Sequence, residues 1–116
     1  MKASKLFLLL LITLTGCVQP SYKKTVVVLL TVKGIKDIQT VGVRGEGNPL
    51  SWNEDLLLTP IVKDSLYTIT KTTQTAFSFT EIKFTVNGKF ELEGKPNRRL
   101  EFATGDTTYY HATFNE

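Results

Sequence analysis

Residues 77–92 read Phe77-Ser-Phe-Thr-Glu-Ile-Lys-Phe-Thr-Val-Asn-Gly-Lys-Phe-Glu-Leu92. Up to Val86 the side chains alternate in character, which is typical of a strand with one buried face. One side of this strand carries Ile82, Phe84 and Val86, and the other carries Phe77, Phe79, Glu81, Lys83 and Thr85. Asn87 and Gly88 both tolerate a positive φ, so the pair predicts a two-residue hairpin turn leading into a second strand.

Further strand-like segments lie on both sides of this hairpin. Thr25–Lys33 is apolar and β-branched, and Gly34 ends it. Shorter segments of this kind cover residues 38–44, 56–59, 64–71, 98–102 and 107–114, separated by turn residues such as Gly45-Glu-Gly-Asn-Pro49, Pro60 and Gly105-Asp106. No segment after residue 25 has a helical pattern. The sequence therefore predicts an all-β fold, an immunoglobulin-like antiparallel β-sandwich of about seven to eight strands.

The N-terminal segment has the layout of an export signal. Lys2 and Lys5 precede an apolar run from Leu6 to Leu14, which is too short to span a bilayer as a helix. Leu14-Thr15-Gly16-Cys17 resembles the bacterial lipobox, in which the Cys is acylated and becomes the first residue of the mature chain. An ordinary signal peptide with a chance Cys is the alternative. Because Cys17 is the only Cys in the chain and stands at the lipobox position, we expect residues 1–16 to be a lipoprotein signal peptide and Cys17 to carry the lipid.

The segment after Cys17 predicts a short tether. Residues 17–24 are polar and contain Pro20, so we expect a lipid-anchored linker followed by one domain over residues 25–116. No acidic cluster follows Cys17, and such a cluster addresses some bacterial lipoproteins to the cell surface. The expected location is the cell envelope, with a membrane attachment through the lipid and the periplasmic side favoured over the surface.

The charge does not point to nucleic acid. Removal of Lys2 and Lys5 with the signal peptide lowers the formal charge from +3 to +1, and Lys23-Lys24 and Arg98-Arg99 are isolated pairs. The mature chain has no second Cys, so no intramolecular disulfide is possible and a hydrophobic core must stabilise the domain.

Residues that could perform catalysis are sparse. His111 is the only histidine and lies within a predicted strand, so we interpret it as a partly exposed strand residue rather than a metal ligand. Glu91 and Glu93 fall on one strand face, whereas glycoside hydrolysis needs carboxylates that face each other across a cleft. There is neither a G-x-S-x-G elbow nor a phosphate-binding loop. We therefore expect no enzymatic activity, no metal and no cofactor.

Three segments in order carry a resemblance to a known family. They are Val43-Arg-Gly45 with Pro49-Leu-Ser-Trp52, then Glu81-Ile-Lys-Phe-Thr-Val-Asn-Gly88, then Phe90-Glu-Leu-Glu-Gly-Lys-Pro-Asn-Arg98. Together they resemble the family 20 carbohydrate-binding module, the starch-binding domain, over about residues 25–114. That family has an immunoglobulin-like sandwich, and the resemblance implies binding of an α-glucan-like polysaccharide or oligosaccharide without catalysis.

The resemblance also implies a set of carbohydrate-binding residues. Starch-binding modules stack aromatic rings on the apolar faces of sugars and add a few hydrogen bonds to hydroxyl groups. The matching positions of the first site are Trp52, Lys83, Phe90, Glu91 and Asn97, and Glu81 matches the acid of a second site. Two departures are evident. Phe90 stands where a Trp is usual, and Leu92-Glu-Gly-Lys95 lengthens the loop before Pro96.

Each of these residues also has a purely structural interpretation. Trp52 could close one end of the sandwich, and Phe90 could belong to the core. Lys83 and Glu91 could be cross-strand partners, and Asn97-Arg98 could serve turn geometry. Two classes of function therefore remain open: a sugar-binding lipoprotein, or an immunoglobulin-like module that lost the sugar site and binds a protein partner.

Overall fold

The computed structural model describes residues 20–116, which form nine strands. The strands are β1 (Tyr22–Thr31), β2 (Val41–Gly45), β3 (Leu56–Leu57), β4 (Thr59–Val62), β5 (Leu66–Thr75), β6 (Phe79–Val86), β7 (Lys89–Phe90), β8 (Arg98–Glu101) and β9 (Thr107–Thr113). The predicted signal peptide, Cys17 and the first residues of the predicted tether lie outside the described residues. Within the described part, no helix is long and apolar enough to cross a membrane.

The strands form two sheets. The first sheet has the order β4-β5-β1-β9, and the second has the order β3-β2-β6-β7, with β8 also paired to β6. The pairs are antiparallel apart from β1 and β9, which run parallel from Thr25 opposite Thr107 to Thr31 opposite Thr113. The all-β sandwich predicted from the sequence is confirmed.

The core lies between the inner faces of the two sheets. In β6 the buried residues are Ile82, Phe84 and Val86, as the alternation predicted, and in β1 they are Val28 and Leu30. The remaining buried hydrophobic residues are Val32, Val41, Val43, Leu58, Tyr67 and Leu100. Both sheets and this core lie between Tyr22 and Thr113. Since this segment has its own hydrophobic core, we expect residues 20–116 to fold by themselves.

The hairpin after β6 is confirmed in detail. Asn87 has a φ of 51° and Gly88 a φ of 77°, and Val86 pairs with Lys89 across the turn. The Asn87 carboxamide oxygen also accepts hydrogen bonds from the backbone N–H groups of Gln39 at 2.6 Å and Thr40 at 3.1 Å. This turn therefore fixes the loop that leads into β2 as well as the β6–β7 register.

The structure corrects two boundaries. The predicted tether ended at residue 24, but β1 begins at Tyr22 because β5 continues to Thr75 and pairs with the first residues of β1. A strand was predicted to stop at Pro60, but Pro60 lies inside β4. Proline is tolerated there because β4 is an edge strand and needs no ladder hydrogen bond on its outer side.

Candidate functional site

The outer face of the second sheet holds several of the residues that the resemblance selected. The buried residues of this sheet include Val43 and Gly45 in β2 and Ile82 and Phe84 in β6. Because side chains alternate along a strand, Arg44 and Lys83, which lie between them, point outward. Arg44 lies opposite Lys83 in the β2–β6 pair. On the other side of β6, Phe90 lies opposite Thr85 and points to the same outer face.

Arg44 connects Phe90 on this face to the loop that carries Trp52. Its Nε donates to Asp55 Oδ1 at 2.8 Å, and its Nη1 donates to the main-chain carbonyl oxygen of Trp52 at 3.2 Å. Its guanidinium carbon lies 5.0 Å from the ring centroid of Phe90, within the range of a cation–π interaction. We call Arg44, Trp52, Asp55, Thr85 and Phe90 the Arg44 cluster.

Asp55 and Gly42 explain why this cluster can form. Asp55 Oδ1 also accepts a hydrogen bond from Thr85 Oγ1 at 2.8 Å, so the carboxylate lies directly on the sheet. A Cβ at Gly42 would come within 2.7 Å of the Asp55 side chain and 2.8 Å of Thr85 Oγ1. A glycine at position 42 therefore makes room for Asp55, which in turn holds Arg44.

Trp52 occupies an intermediate position. Its side chain is half-buried in the loop between β2 and β3, and its indole Nε1 donates to Glu46 Oε1 at 3.0 Å. It is thus neither a buried plug of the sandwich nor a fully exposed plate. Its ring is fixed by the bond to Glu46 while part of it remains open to solvent.

Phe90 is exposed over 44% of its surface and does not belong to the core. The interpretation of Phe90 as a core residue is therefore wrong. With the Arg44 guanidinium against the ring, the orientation of Phe90 is constrained and the rest of the ring faces solvent.

Lys83 organises the loop that follows β7. Its Nζ donates to the carbonyl oxygens of Leu92 at 3.1 Å and Lys95 at 3.0 Å. These are the ends of the loop whose extra length departs from the starch-binding pattern. An ammonium group has three donors, so one N–H of Lys83 has no hydrogen-bond partner among residues 20–116.

The structure corrects the expectation for Glu91. This residue is 1% exposed, and its carboxylate accepts hydrogen bonds from Arg98 and from the backbone N–H groups of Phe84 and Asn115. It faces the core because it follows Phe90 by one residue and the side-chain direction alternates along a strand. Glu91 is a structural residue and does not reach a surface ligand.

Glu81 and Asn97 are exposed and lie apart from the Arg44 cluster. Glu81 is on the outer face of β6, opposite Arg99 of β8, and Asn97 is in the turn before β8. Neither side chain makes a hydrogen bond to another residue within 20–116, so the structure leaves both accessible without bringing them to Trp52 or Phe90.

Sequence reasoning missed Arg44 and Asp55, although they connect the site. Arg44 was visible as the outward, charged residue between Val43 and Gly45. Asp55 carries no such signal, because its position depends on how the loop from Glu46 to Asp55 returns to the sheet.

His111 is exposed in β9, opposite Leu29 of β1. Among residues 20–116 no group of three His, Cys, Asp or Glu side chains is placed to hold a metal ion.

Comparison with protein-family models found no match for this chain, and comparison with curated proteins found no relative. The likeness to starch-binding modules accordingly rests on the three segments quoted above.

Proposed function

We propose that this protein is a non-catalytic glycan-binding lipoprotein of the cell envelope, with the outer face of the second sheet as its binding face. The observation that carries the proposal is the placement of Phe90 and Lys83 on that one face beside Arg44, which also binds the main-chain carbonyl of Trp52 in the adjoining loop. Phe90, Lys83 and Trp52 all belong to the set of sugar-binding residues that the resemblance to starch-binding modules implies.

The chemistry of this face suits a sugar. The exposed part of the Phe90 ring offers an apolar surface, which matches the weakly hydrated face of a glucose ring. The remaining N–H of Lys83 can bond to a sugar hydroxyl at the edge of such a surface. Because Arg44 already holds the Phe90 ring, little side-chain entropy is lost when a ligand binds.

The envelope location in this proposal rests on the lipobox at Leu14–Cys17. The short segment between Cys17 and the start of β1 at Tyr22 keeps the sandwich close to the membrane surface. A glycan bound by this protein would therefore be held near the membrane.

A glycan array probed with residues 20–116 tests the proposal. We expect binding to α-linked glucose oligomers and loss of that binding in Phe90→Ala. Tyr109→Ala is the matched control, because Tyr109 is also an exposed aromatic strand residue but lies in β9 of the first sheet. A wild-type protein that binds no glycan, or a Phe90→Ala variant that binds as well as wild type, contradicts the proposal.

A protein-interaction module is the second candidate, favoured by an exposed apolar edge. Leu57, Ile61 and Val62 are each more than half exposed, and they lie in β3 and β4, the neighbouring edge strands of the two sheets. Exposed edge strands accept an added strand from a partner. Ile61→Lys separates the candidates, since it weakens capture of a protein partner from envelope extracts and leaves glycan binding unchanged.

A further inference from the structure

A cavity of about 530 Å³ lies between the two sheets, on the opposite side of the second sheet from the Arg44 cluster. Its apolar walls are Val26, Val28, Val43, Leu50, Leu56, Ile69, Ile82, Leu100 and Phe102. The volume falls within the range of about 300–1,000 Å³ that is typical of small-molecule sites, which are mostly apolar with a few polar groups.

The cavity follows the strands of the first sheet. Along β5 it is lined from Ile69 to Thr75, which is about 20 Å of extended chain. The volume along that length is enough for one hydrocarbon chain. One leaflet of a bilayer has a hydrocarbon depth of about 15 Å, so the cavity is long enough for a membrane-type acyl chain.

Lys71 gives the cavity a single cationic group. It follows Tyr67 and Ile69 in the alternation of β5, pairs with Val26 of β1 and lines the cavity, and it is exposed to solvent. Its ammonium group makes no hydrogen bond or ion pair to any residue within 20–116. Lys24 of β1, by contrast, has hydrogen-bond partners: its Nζ donates to the carbonyl oxygens of Ala103, Thr104 and Gly105. The acid in the lining, Glu46, already accepts the indole N–H of Trp52.

The mouth of the cavity lies between residues 46–50 and 72–77. Thr73 Oγ1 donates to the carbonyl oxygen of Asn48 at 2.6 Å, which ties these two segments together on one side. Phe77, which is 72% exposed, lines the mouth. β1 begins beside this end of the sandwich, since Tyr22 pairs with Thr75. An exposed aromatic ring at the rim is suited to contact with a lipid surface.

We propose that this cavity binds a single-chain anionic amphiphile of the fatty acid class. The acyl chain lies between the sheets, and the carboxylate pairs with the Lys71 ammonium group. The apolar walls, the length of the cavity and the exposed, unpaired ammonium group of Lys71 together favour this ligand. The proposal is independent of glycan binding, because the acyl chain lies on the inner side of the second sheet and Arg44, Lys83 and Phe90 point to its outer side.

Titration of residues 20–116 with cis-parinaric acid, whose fluorescence rises in an apolar site, tests the proposal. We expect saturable binding that palmitate displaces, together with a higher melting temperature in the presence of palmitate. A second competition with lysophosphatidylglycerol, a single-chain anionic lipid, shows whether the source of the ligand is a free fatty acid alone or also a membrane lipid. Wild-type protein that shows no saturable binding overturns the proposal.

Two variants fill the cavity and locate the bound chain. Val26→Phe and Ile69→Phe each place a larger ring in the lining, and we expect affinity for cis-parinaric acid to fall about tenfold or more, the equivalent of two displaced methylene groups. Val62→Phe is the matched control, because it adds the same ring on the exposed β4 edge outside the cavity. Folded Val26→Phe and Ile69→Phe variants that bind as well as Val62→Phe overturn the proposed position of the chain.

Lys71→Gln tests recognition of the head group. We expect palmitate affinity to fall about fivefold, which corresponds to the largest free energy that an exposed ion pair usually contributes. Competition by hexadecanol, which has no charge, should be unchanged. Equal affinities of wild type and Lys71→Gln for palmitate would rule out the assigned role of Lys71, and this measurement remains valid if the cavity-filling variants do not fold.

Discussion

Glu91 and Arg98 form a two-pronged ion pair inside the sandwich, with 2.6 Å from Glu91 Oε2 to Arg98 Nε and 2.8 Å from Oε1 to Nη2. Arg98 Nη2 also donates to the carbonyl oxygens of Thr113 and Glu116, so the pair connects the end of β7, the start of β8 and the end of the chain. The hydrogen bonds that Arg98 donates to the Glu91 carboxylate raise the pKa of Arg98 against the opposing effect of burial. The carboxylate of Glu91, which the resemblance assigned to sugar binding, thus stabilises the fold.

The first prediction is that Glu91→Gln strongly destabilises the domain. The Arg98 side chain is only 12% exposed, and the substitution leaves its charge without a charged partner. Breaking a buried pair in this way costs about 3–5 kcal/mol, so we expect the urea midpoint of residues 20–116 to fall sharply or the variant not to fold.

Glu101→Gln is the control for this prediction. Glu101 pairs with Arg99 at 3.0 Å, but both side chains are more than half exposed. Such surface pairs contribute about 0–1 kcal/mol, so Glu101→Gln should hardly change the midpoint. Similar small losses in the two variants would show that the Glu91–Arg98 pair does not stabilise the fold.

The second prediction compares two glycines that differ in backbone conformation. A Cβ at either Gly88 or Gly105 would meet no atom within 4 Å, but Gly88 has a φ of 77° in the hairpin turn. We therefore expect Gly88→Ala to lose about 1–2 kcal/mol in unfolding free energy because the left-handed region is strained for alanine. Gly105→Ala should leave stability unchanged or raise it slightly. Equal effects of the two variants in thermal unfolding would contradict the turn geometry.

The third prediction concerns the anchor, which lies outside the described residues. Cys17→Ser removes the proposed acylation site, and we expect the protein to leave the membrane fraction. Each buried acyl methylene contributes roughly 0.8 kcal/mol, whereas the lysines after Cys17 give only a weak, salt-sensitive attraction. Fractionation after a high-salt wash measures this, with the wild-type chain as control. A variant that still sediments with membranes would show that the lipid on Cys17 is not the anchor.

The fold could be predicted from sequence because its signals are local. The alternation around Ile82 and Phe84 and the Asn87-Gly88 turn fix one hairpin without reference to the rest of the chain. The parallel pairing of β1 with β9 could not be predicted, because it joins segments about 80 residues apart and has no turn between them. The extension of β1 to Tyr22 also depends on its partner, the far end of β5.

The candidate site could be predicted only in part for the same reason. Phe90 and Glu91 are adjacent in sequence, and resemblance assigned both to the sugar. Alternation along the strand sends Phe90 to the outer face and Glu91 to the core, where Arg98 meets it. The inter-sheet cavity had no sequence signal at all, because its walls come from six strands and three connecting segments.

The fourth prediction tests Trp52 as part of the glycan-binding face. Arg44 bonds to the main-chain carbonyl of Trp52, so Trp52→Ala keeps that bond and removes only the indole with its link to Glu46. We expect binding to soluble α-glucan to be lost in affinity electrophoresis while the melting temperature stays within about 4–8 °C, the equivalent of roughly 1 kcal/mol for a domain of this size. Phe90→Trp should strengthen binding, because a larger exposed ring offers more stacking area and Arg44 can still lie against it. Tyr109→Ala, on the first sheet, should change neither property.

If Trp52 instead stabilises the core, Trp52→Ala would lose about 3–5 kcal/mol and unfold the domain. That result, with a wild-type protein that ignores every α-glucan, would leave the exposed edge at Ile61 as the functional surface.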